Sequence, residues 1–476
     1  MLLVRYSEIG LKGHYARSRM ENLLVRNISM SLESSAIAHS ISKEQGRIYI
    51  ETSENEKAIE RVRHIFGVKS VSVVEMHTFD GIDDLRKLAV EKFSQKVSGK
   101  RFAVRARRTG THPFTSLELE RIVGEDLLPF ANSVSLADPE ITVYLEVREK
   151  RLYIFSDIVG GPGGLPLGSE GKMTALVSGG IDSPVAAWTM MKRGCRVDLV
   201  FVALADPLDT ETFLTQAGKL ISGYSWGYDP RIWIVNGSDL VEELTSGKFR
   251  YPNVSFKRIL YLIAEKIARR EESLGLITGE SLGQVSSQTP ENLRTLSLNL
   301  SLPVYRPLIG MDKDEIVRIS REWDLMPGSS LGEFCSLFAD SASLNVTPEQ
   351  LEAEPINDGL IESLISGGEE IRGSEIKQYL ESRNMQDLTI PDKLSGAVVI
   401  DMRSREKFEK WHYPGAVSVR LKDLDQFAKG LDREKQVVLY CSKGLQSAHA
   451  AARLRKEGFN AFYTDEETIR DSKRFQ

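Results

Sequence analysis

The chain has 476 residues, 41% hydrophobic and 27% charged, with 62 Lys and Arg against 67 Asp and Glu. That length predicts several domains at about 150 residues each, and the balance is that of a globular protein rather than a disordered or fibrous one. No apolar run approaches the roughly 20 residues that cross a bilayer, and a net charge of -5 selects no polyanionic partner by itself. The start, Met1-Leu2-Leu3-Val4-Arg5, is too short an apolar run for a signal peptide, so the expected location is the cytoplasm, with no membrane partner. Cys195, Cys335 and Cys441 lie far apart with no Cys-x-x-Cys pair, which argues against a zinc site or a disulfide-stapled fold; no metal ligands are assigned.

From residue 1 to about 57 the pattern is a small α/β unit. Arg5-Tyr6-Ser7-Glu8-Ile9-Gly10-Leu11-Lys12-Gly13 leads into a helix expected over 17–30, and Gly46-Arg47-Ile48-Tyr49-Ile50 reads as a strand. From about 58 to 165 helices are expected over 83–95 and 116–128, a strand over 101–108, and a hairpin from 141–147 and 152–155. On the strand, Phe102 and Val104 face one way and Arg101, Arg105 and Arg107 the other. Between Arg86 and Arg108 nine Lys and Arg stand against one acid, Glu91. Such a row, with Arg108 beside it, suits phosphate contacts whose affinity comes from counterion release; a solvated charged edge is the plain alternative.

The segment from about 166 to 345 alternates strands and helices, as a doubly wound parallel sheet does. At its head, Leu176-Val177-Ser178-Gly179-Gly180-Ile181-Asp182-Ser183-Pro184 reads as strand, glycine turn and helix start, with Ser183 as the expected helix cap. Amides converging on a helix N-terminus seat an anion such as pyrophosphate. The loop is not a Walker A motif, since no Gly-x-x-x-x-Gly-Lys-Ser/Thr occurs. Its pattern Ser-Gly-Gly-x-Asp-Ser resembles the pyrophosphatase loop of enzymes that split ATP between the α and β phosphates and adenylate a substrate. Ligands in such sheets sit beyond the carboxyl ends of strands, so this loop and the loop from Gly279 to Thr289, which carries Gln288, are expected to share one crevice. Asp182 is suited to a magnesium ion carried by the triphosphate, and Lys313 to the phosphate charge; a second helix cap and a solvated lysine are the plain alternatives. Lys257 and Arg258 are softer candidates for ATP contact.

Residues 346–391 are expected to form an acidic linker, with eleven acids against three bases from Glu349 to Asp392 and prolines at 348, 355 and 391. Residues 392–476 read as a compact α/β domain in which Val437-Val438-Leu439-Tyr440 is a strand and Cys441-Ser442-Lys443-Gly444-Leu445-Gln446-Ser447 precedes a helix. A cysteine between a strand end and a helix start sits among amides that stabilise a thiolate or persulfide. The segment resembles a rhodanese loop. A cysteine phosphatase of Cys-x5-Arg type is disfavoured because Ser447 stands where the arginine belongs. Cys195, after Gly194 at a helix-to-strand turn, is expected to be core.

Arg5 to Ile9 with Leu11-Lys12-Gly13, the run from Arg107 to Ser116, and Gly160 to Pro166 are similar to the N-terminal ferredoxin-like and THUMP regions of tRNA 4-thiouridine synthetases, also called tRNA uracil 4-sulfurtransferases. The Gly279 to Thr289 loop, Arg306 to Lys313, and the rhodanese-like segments Asp401 to Arg405 and His412 to Ala416 resemble the same family in the form with a C-terminal rhodanese domain. The resemblance implies a ferredoxin-like domain (1–57), a THUMP domain (58–165), an ATP pyrophosphatase domain (166–345), the linker, and a rhodanese-like domain (392–476). It implies tRNA bound through Lys12, Arg101, Arg105, Arg107 and Arg108, and ATP with magnesium held at Leu176, Val177, Ser178, Gly179, Gly180, Asp182, Ser183, Lys257, Gly279 and Gln288. Catalysis falls to Asp182, Lys313, Cys335 and Cys441. The implied reaction is 4-thiouridine formation at tRNA position eight: the carbonyl oxygen is adenylated and a Cys441 persulfide, loaded by a cysteine desulfurase, delivers sulfur, with Cys335 as the second thiol. A homodimer is the expected assembly. The alternatives are an ATP-dependent ligase or thiolase of another RNA position or a small metabolite, and a rhodanese-type sulfur carrier that hands sulfur on to a carrier for thiamine thiazole synthesis, with the rest of the chain as an RNA-binding scaffold.

Overall fold

The computed structural model describes residues 1–44, 46–204, 208–237, 247–327, 343–382, 396–442 and 444–471, with 240, 243, 244 and 394. It divides into two compact units, Met1–Ser169 and Glu170–Gln476. No described helix is long and apolar enough to cross a membrane.

The first unit holds two five-stranded sheets. In the first, Leu2–Arg5 lies between Arg47–Glu51 and Ser70–Val73, both antiparallel to it. Helix His14–Glu33 buries Leu24, Ile28 and Leu32. The ferredoxin-like sheet therefore runs beyond residue 57, where the sequence placed its boundary. The alternation in Ser70-Val71-Ser72-Val73 is short, and its partner is the first strand of the chain, nearly 70 residues away; only long-range pairing reveals it. Val159–Gly160 returns to close the same sheet. In the second sheet Arg101–Thr109 pairs in parallel with Ile141–Arg148, which forms the expected hairpin with Arg151–Phe155. Helices Ile82–Val97 and Ser116–Leu127 cover one face, burying Leu85, Phe93, Leu119 and Val123 on Phe102, Val104 and Val143. A Thr115/Glu118 capping box starts the second of these helices.

The second unit opens with a six-stranded sheet in the order Val304–Tyr305, Leu276–Ile277, Lys172–Leu176, Arg196–Ala203, Arg231–Asn236, Glu369–Arg372. The first five are parallel and the last antiparallel. Arg196–Ala203 is buried from its second residue onward, as a strand covered on both faces must be. The chain winds outward one way from Lys172–Leu176, then returns to add Leu276–Ile277 on its other side, which puts the topological switch point at the end of Lys172–Leu176. A second sheet, all parallel, has the order Val417–Ser418, Val398–Asp401, Gln436–Cys441, Asn460–Asp465.

The acidic stretch is not a loose connector over most of its length. Helix Asp358–Ser366 packs Ile361, Leu364 and Ile365 into the core that holds Ile259, Ile263 and Ile267 of helix Pro252–Arg270. Its acids pair outward, Glu362 with Lys266 at 2.8 Å and Arg270 at 2.7 Å. Glu369–Arg372 then caps the sheet edge. The charge excess conceals an apolar stripe at helical spacing, and the stripe decides the fold because buried aliphatic area outweighs exposed charge. Ile361→Ala is therefore expected to cost about 2–5 kcal/mol, against under about 0.5 kcal/mol for a residue in a free tether, measured by denaturant unfolding.

Candidate active site

The loop after Lys172–Leu176 turns through Gly179 and Gly180 into helix Asp182–Lys192, which buries Val185, Ala186, Ala187, Trp188 and Met191. Ser183 does not cap this helix. Its Oγ accepts the Ser178 amide at 2.8 Å and lies 3.1 Å from Ser178 Oγ, stitching the loop across its own mouth. Among the described residues no side-chain hydrogen bond caps the helix, which leaves amides at its start to face an anion. From behind, the buried Gln216 donates to the Gly180 carbonyl at 3.2 Å.

The neighbouring loop comes very close. A Cβ on Gly279 would lie 2.6 Å from the Ser183 nitrogen and 2.7 Å from its Cα, so only glycine lets the two loops meet. Their meeting gathers the polar groups. Asp182 Oδ1 takes Lys313 Nζ at 2.7 Å and Oδ2 takes Gln284 Nε2 at 2.8 Å. Lys313 opens helix Lys313–Glu322, whose Asp312/Glu315 capping box fixes its position. A cleft of about 200 Å³ lies between the loops. Leu176, Val177, Ser178, Gly179, Gly180, Asp182, Ser183, Lys257, Gly279, Gln288 and Lys313 all line it, so of the residues expected at the ATP site all but Arg258 meet in one cleft. Arg258 turns away to the Leu296 carbonyl at 2.8 Å.

Sequence reasoning missed the floor of the cleft. Glu280 is buried and receives Tyr261 at 2.6 Å, Thr278 at 2.9 Å and Arg306 Nε at 2.8 Å, with Lys257 Nζ at 3.4 Å. Burial pushes its carboxyl up, but Lys257 and Arg306 overcome that and hold it below the usual carboxylate range. Burial and the Glu280 charge push the Tyr261 hydroxyl well up. Glu280 was legible only as part of the Gly279 loop, because its partners come from Lys257, Tyr261 and Arg306. Among the described residues no group of three His, Cys, Asp or Glu side chains could hold a metal ion.

In the first unit the expected basic row is only partly free. Arg107 is exposed, as is Lys12. Arg101 is paired with Asp138 at 3.0 Å, Arg105 donates to the Leu136 carbonyl at 2.8 Å, and Arg108 donates to Gly110 on the opposite face. The stronger positive centre joins the two sheets. Glu146 holds Arg148 at 2.7 Å, Arg47 at 2.9 Å and Arg5 at 3.5 Å, and Arg107 is its neighbour in the parallel register. Three guanidiniums thus pair with one carboxylate. Burial, with Arg47 and Arg107 nearby, brings Arg5 down to about 10 against the pull of Glu146. Arg5 Nη2 has no hydrogen-bond partner among the described residues.

Cys441 is a free, buried cysteine at the end of strand Gln436–Cys441, facing the start of helix Leu445–Lys456. Beneath it Tyr440 donates to Asp401 at 2.5 Å, and Asp401 clamps the buried Arg403. Cys195 is free and buried, and burial pushes its thiol up to about 11, which fits a core role. Cys335 lies outside the described residues.

The chain matches four family profiles: the ThiI ferredoxin-like domain over residues 1–72, the THUMP domain over 79–157, Thiamine biosynthesis protein (ThiI) over 168–357, and the rhodanese-like domain over 381–466. It is 43% identical to a tRNA sulfurtransferase of Thermoplasma volcanium, over 97% of this chain and 95% of that one. It is 41% identical to the tRNA sulfurtransferase of Thermoplasma acidophilum, over 98% and 94%. A solved 4-thiouridine synthetase–RNA complex with bound ATP is 31% identical, with a TM-score of 0.64, covering 78% of this chain and 98% of that one. With likeness running through all four regions in order and over nearly its whole length, the chain belongs to the tRNA sulfurtransferase (ThiI) family.

Proposed function

We propose that the protein adenylates a carbonyl oxygen of a tRNA uridine, forming 4-thiouridine at position eight, and replaces that oxygen with sulfur carried by Cys441. The observation that carries this reading is the meeting of Asp182, Gln284 and Lys313 beside an uncapped helix start at the switch point of a parallel sheet. The helix amides and Lys313 suit the phosphates of ATP, and Lys257 offers a second ammonium from the cleft floor. Asp182 is the carboxylate at the loop that would meet a magnesium ion carried by the triphosphate, which would offset phosphate charge there. The relative solved with RNA and ATP supports both substrates, and the exposed Lys12 and Arg107 offer charge to the RNA backbone.

Uridine oxygen attacks the α-phosphorus and pyrophosphate leaves with the bonding electrons. The outer sulfur of a Cys441 persulfide then attacks the activated carbon, and AMP departs with the original oxygen. Cys335 thiolate attacks the Cys441 sulfur, breaking the sulfur–sulfur bond; the thiocarbonyl stays on the base and a Cys335–Cys441 disulfide remains for a dithiol to reduce. A cysteine desulfurase is the proposed source of the persulfide. The thiamine description of the matching family profile favours a second role, in which Cys441 also passes sulfur toward thiazole synthesis.

Asp182→Ala is expected to abolish tRNA-dependent pyrophosphate release; retained release removes Asp182 from the reaction. Cys441→Ser and Cys335→Ser should each stop multiple-turnover thiolation while pyrophosphate release persists, and normal thiolation by Cys441→Ser with a desulfurase as sole sulfur source would overturn the persulfide role. Glu280→Gln leaves Lys257 and Arg306 without their buried counter-charge and is expected to cost about 3–5 kcal/mol at neutral pH. Because the folded carboxyl is held below its unfolded value of about 4.3, this stabilisation is present above that pH and is lost as pH falls through the folded value; the variant's unfolding curve should lack that acid limb.

A further inference from the structure

Cys441 and Ser447 are both buried, at opposite sides of the turn that Gly444 makes with φ of 81°. Ser447 Oγ lies 3.5 Å from Cys441 Sγ, 2.9 Å from the Gly444 carbonyl and 2.8 Å from the Thr464 carbonyl. A hydroxyl carries one proton, so it serves one of these acceptors at a time. While Cys441 is a neutral thiol, the carbonyls are the better acceptors. Once the sulfur is anionic it attracts the proton more strongly, and rotation about the Cβ–Oγ bond makes the exchange with no heavy atom moving.

We propose that Ser447 is a positioning residue whose hydroxyl turns from the Thr464 carbonyl to the Cys441 sulfur whenever that sulfur is a thiolate. The proposal rests on the sulfur-carrying role of Cys441 given above. In loading, the thiolate attacks the outer sulfur of a donor persulfide; the new sulfur–sulfur bond forms, the donor's own breaks, and the donor cysteine leaves as thiolate. The Cys441 sulfur is then neutral, and the hydroxyl returns to Thr464. Ser447 thus raises the fraction of nucleophile without binding the loaded state more tightly.

Among the described residues few other charges lie near the sulfur. Lys407 approaches the loop at Ser442 Oγ, 3.2 Å away. Asp465, opposite Cys441 in the sheet, is committed to the Thr468 amide at 2.7 Å. Asp401 and Arg403 are paired with each other below Tyr440, and Lys443 lies outside the described residues.

The test follows alkylation of the Cys441 peptide by iodoacetamide against pH in the full-length protein, read by mass spectrometry. Ser447→Ala is expected to raise the midpoint by about one pH unit, the worth of a modest hydrogen bond to an anion, and Ser447→Thr to restore it. An unchanged midpoint in Ser447→Ala overturns the proposal. Ser447→Gly, which also removes the hydroxyl and adds no bulk, gives the same comparison should the alanine variant not fold. Loading with glutathione persulfide is measured in parallel. Failure of the parent protein to take up sulfur defeats the carrier role, while the midpoints still report on Ser447.

Discussion

The contact between Gly279 and the first turn of helix Asp182–Lys192 constrains everything else in the cleft. Two loops leaving adjacent parallel strands must approach until backbone touches backbone, and a single Cβ at Gly279 would force them apart. That approach puts Gln284 within reach of Asp182 and leaves room for Lys313 on the other carboxylate oxygen. Below, Glu280 follows directly on Gly279, so the same turn that closes the cleft also delivers the carboxylate holding Lys257 and Arg306. A local clearance of a fraction of an ångström thus sets the spacing of the charged groups.

Much of this was legible because it is written in local backbone. Ser178 to Pro184 and Cys441 to Ser447 each join a strand to a helix through glycine, and both loops lie where the sequence placed them. The hairpin and the alternating arginine strand were equally visible, since period two is a short-range signal. What escaped depends on partners distant in the chain. Ser183 looked like a cap because it stands at a helix start, yet the Ser178 amide competes for its oxygen. Glu280 is one acid among 67 Asp and Glu until Tyr261, Thr278 and Arg306 converge on it. The stretch after 346 looked like a tether because its charges are on the surface and outnumber its buried isoleucines.

The arginine cluster of the first unit shows the same limit in a different form. Arg5 and Arg148 are each ordinary in sequence, one in the first strand and one at the end of strand Ile141–Arg148, and only the pairing of Glu146 with both makes them a centre. With Arg47 as a third guanidinium on that carboxylate and Arg107 on the neighbouring strand, positive charge is concentrated where the two sheets join, although the chain as a whole is acidic. Net charge was therefore a poor guide, and charge per unit a better one.

Fixing the acidic stretch to the sheet edge changes the reach of the cysteine loop. Glu369–Arg372 and helix Ile376–Ser382 belong to the sheet-bearing body, so the chain joining it to the next sheet runs only from Ser382 to Leu394. Fully extended, that segment spans at most about 40 Å, several-fold less than a free tether over the whole acidic stretch would allow. A shorter radius confines the Cys441 loop to a smaller volume around the sheet-bearing body and raises its effective concentration there. Chain length alone thus sets how often the thiol meets groups on that body, with no added binding contact required.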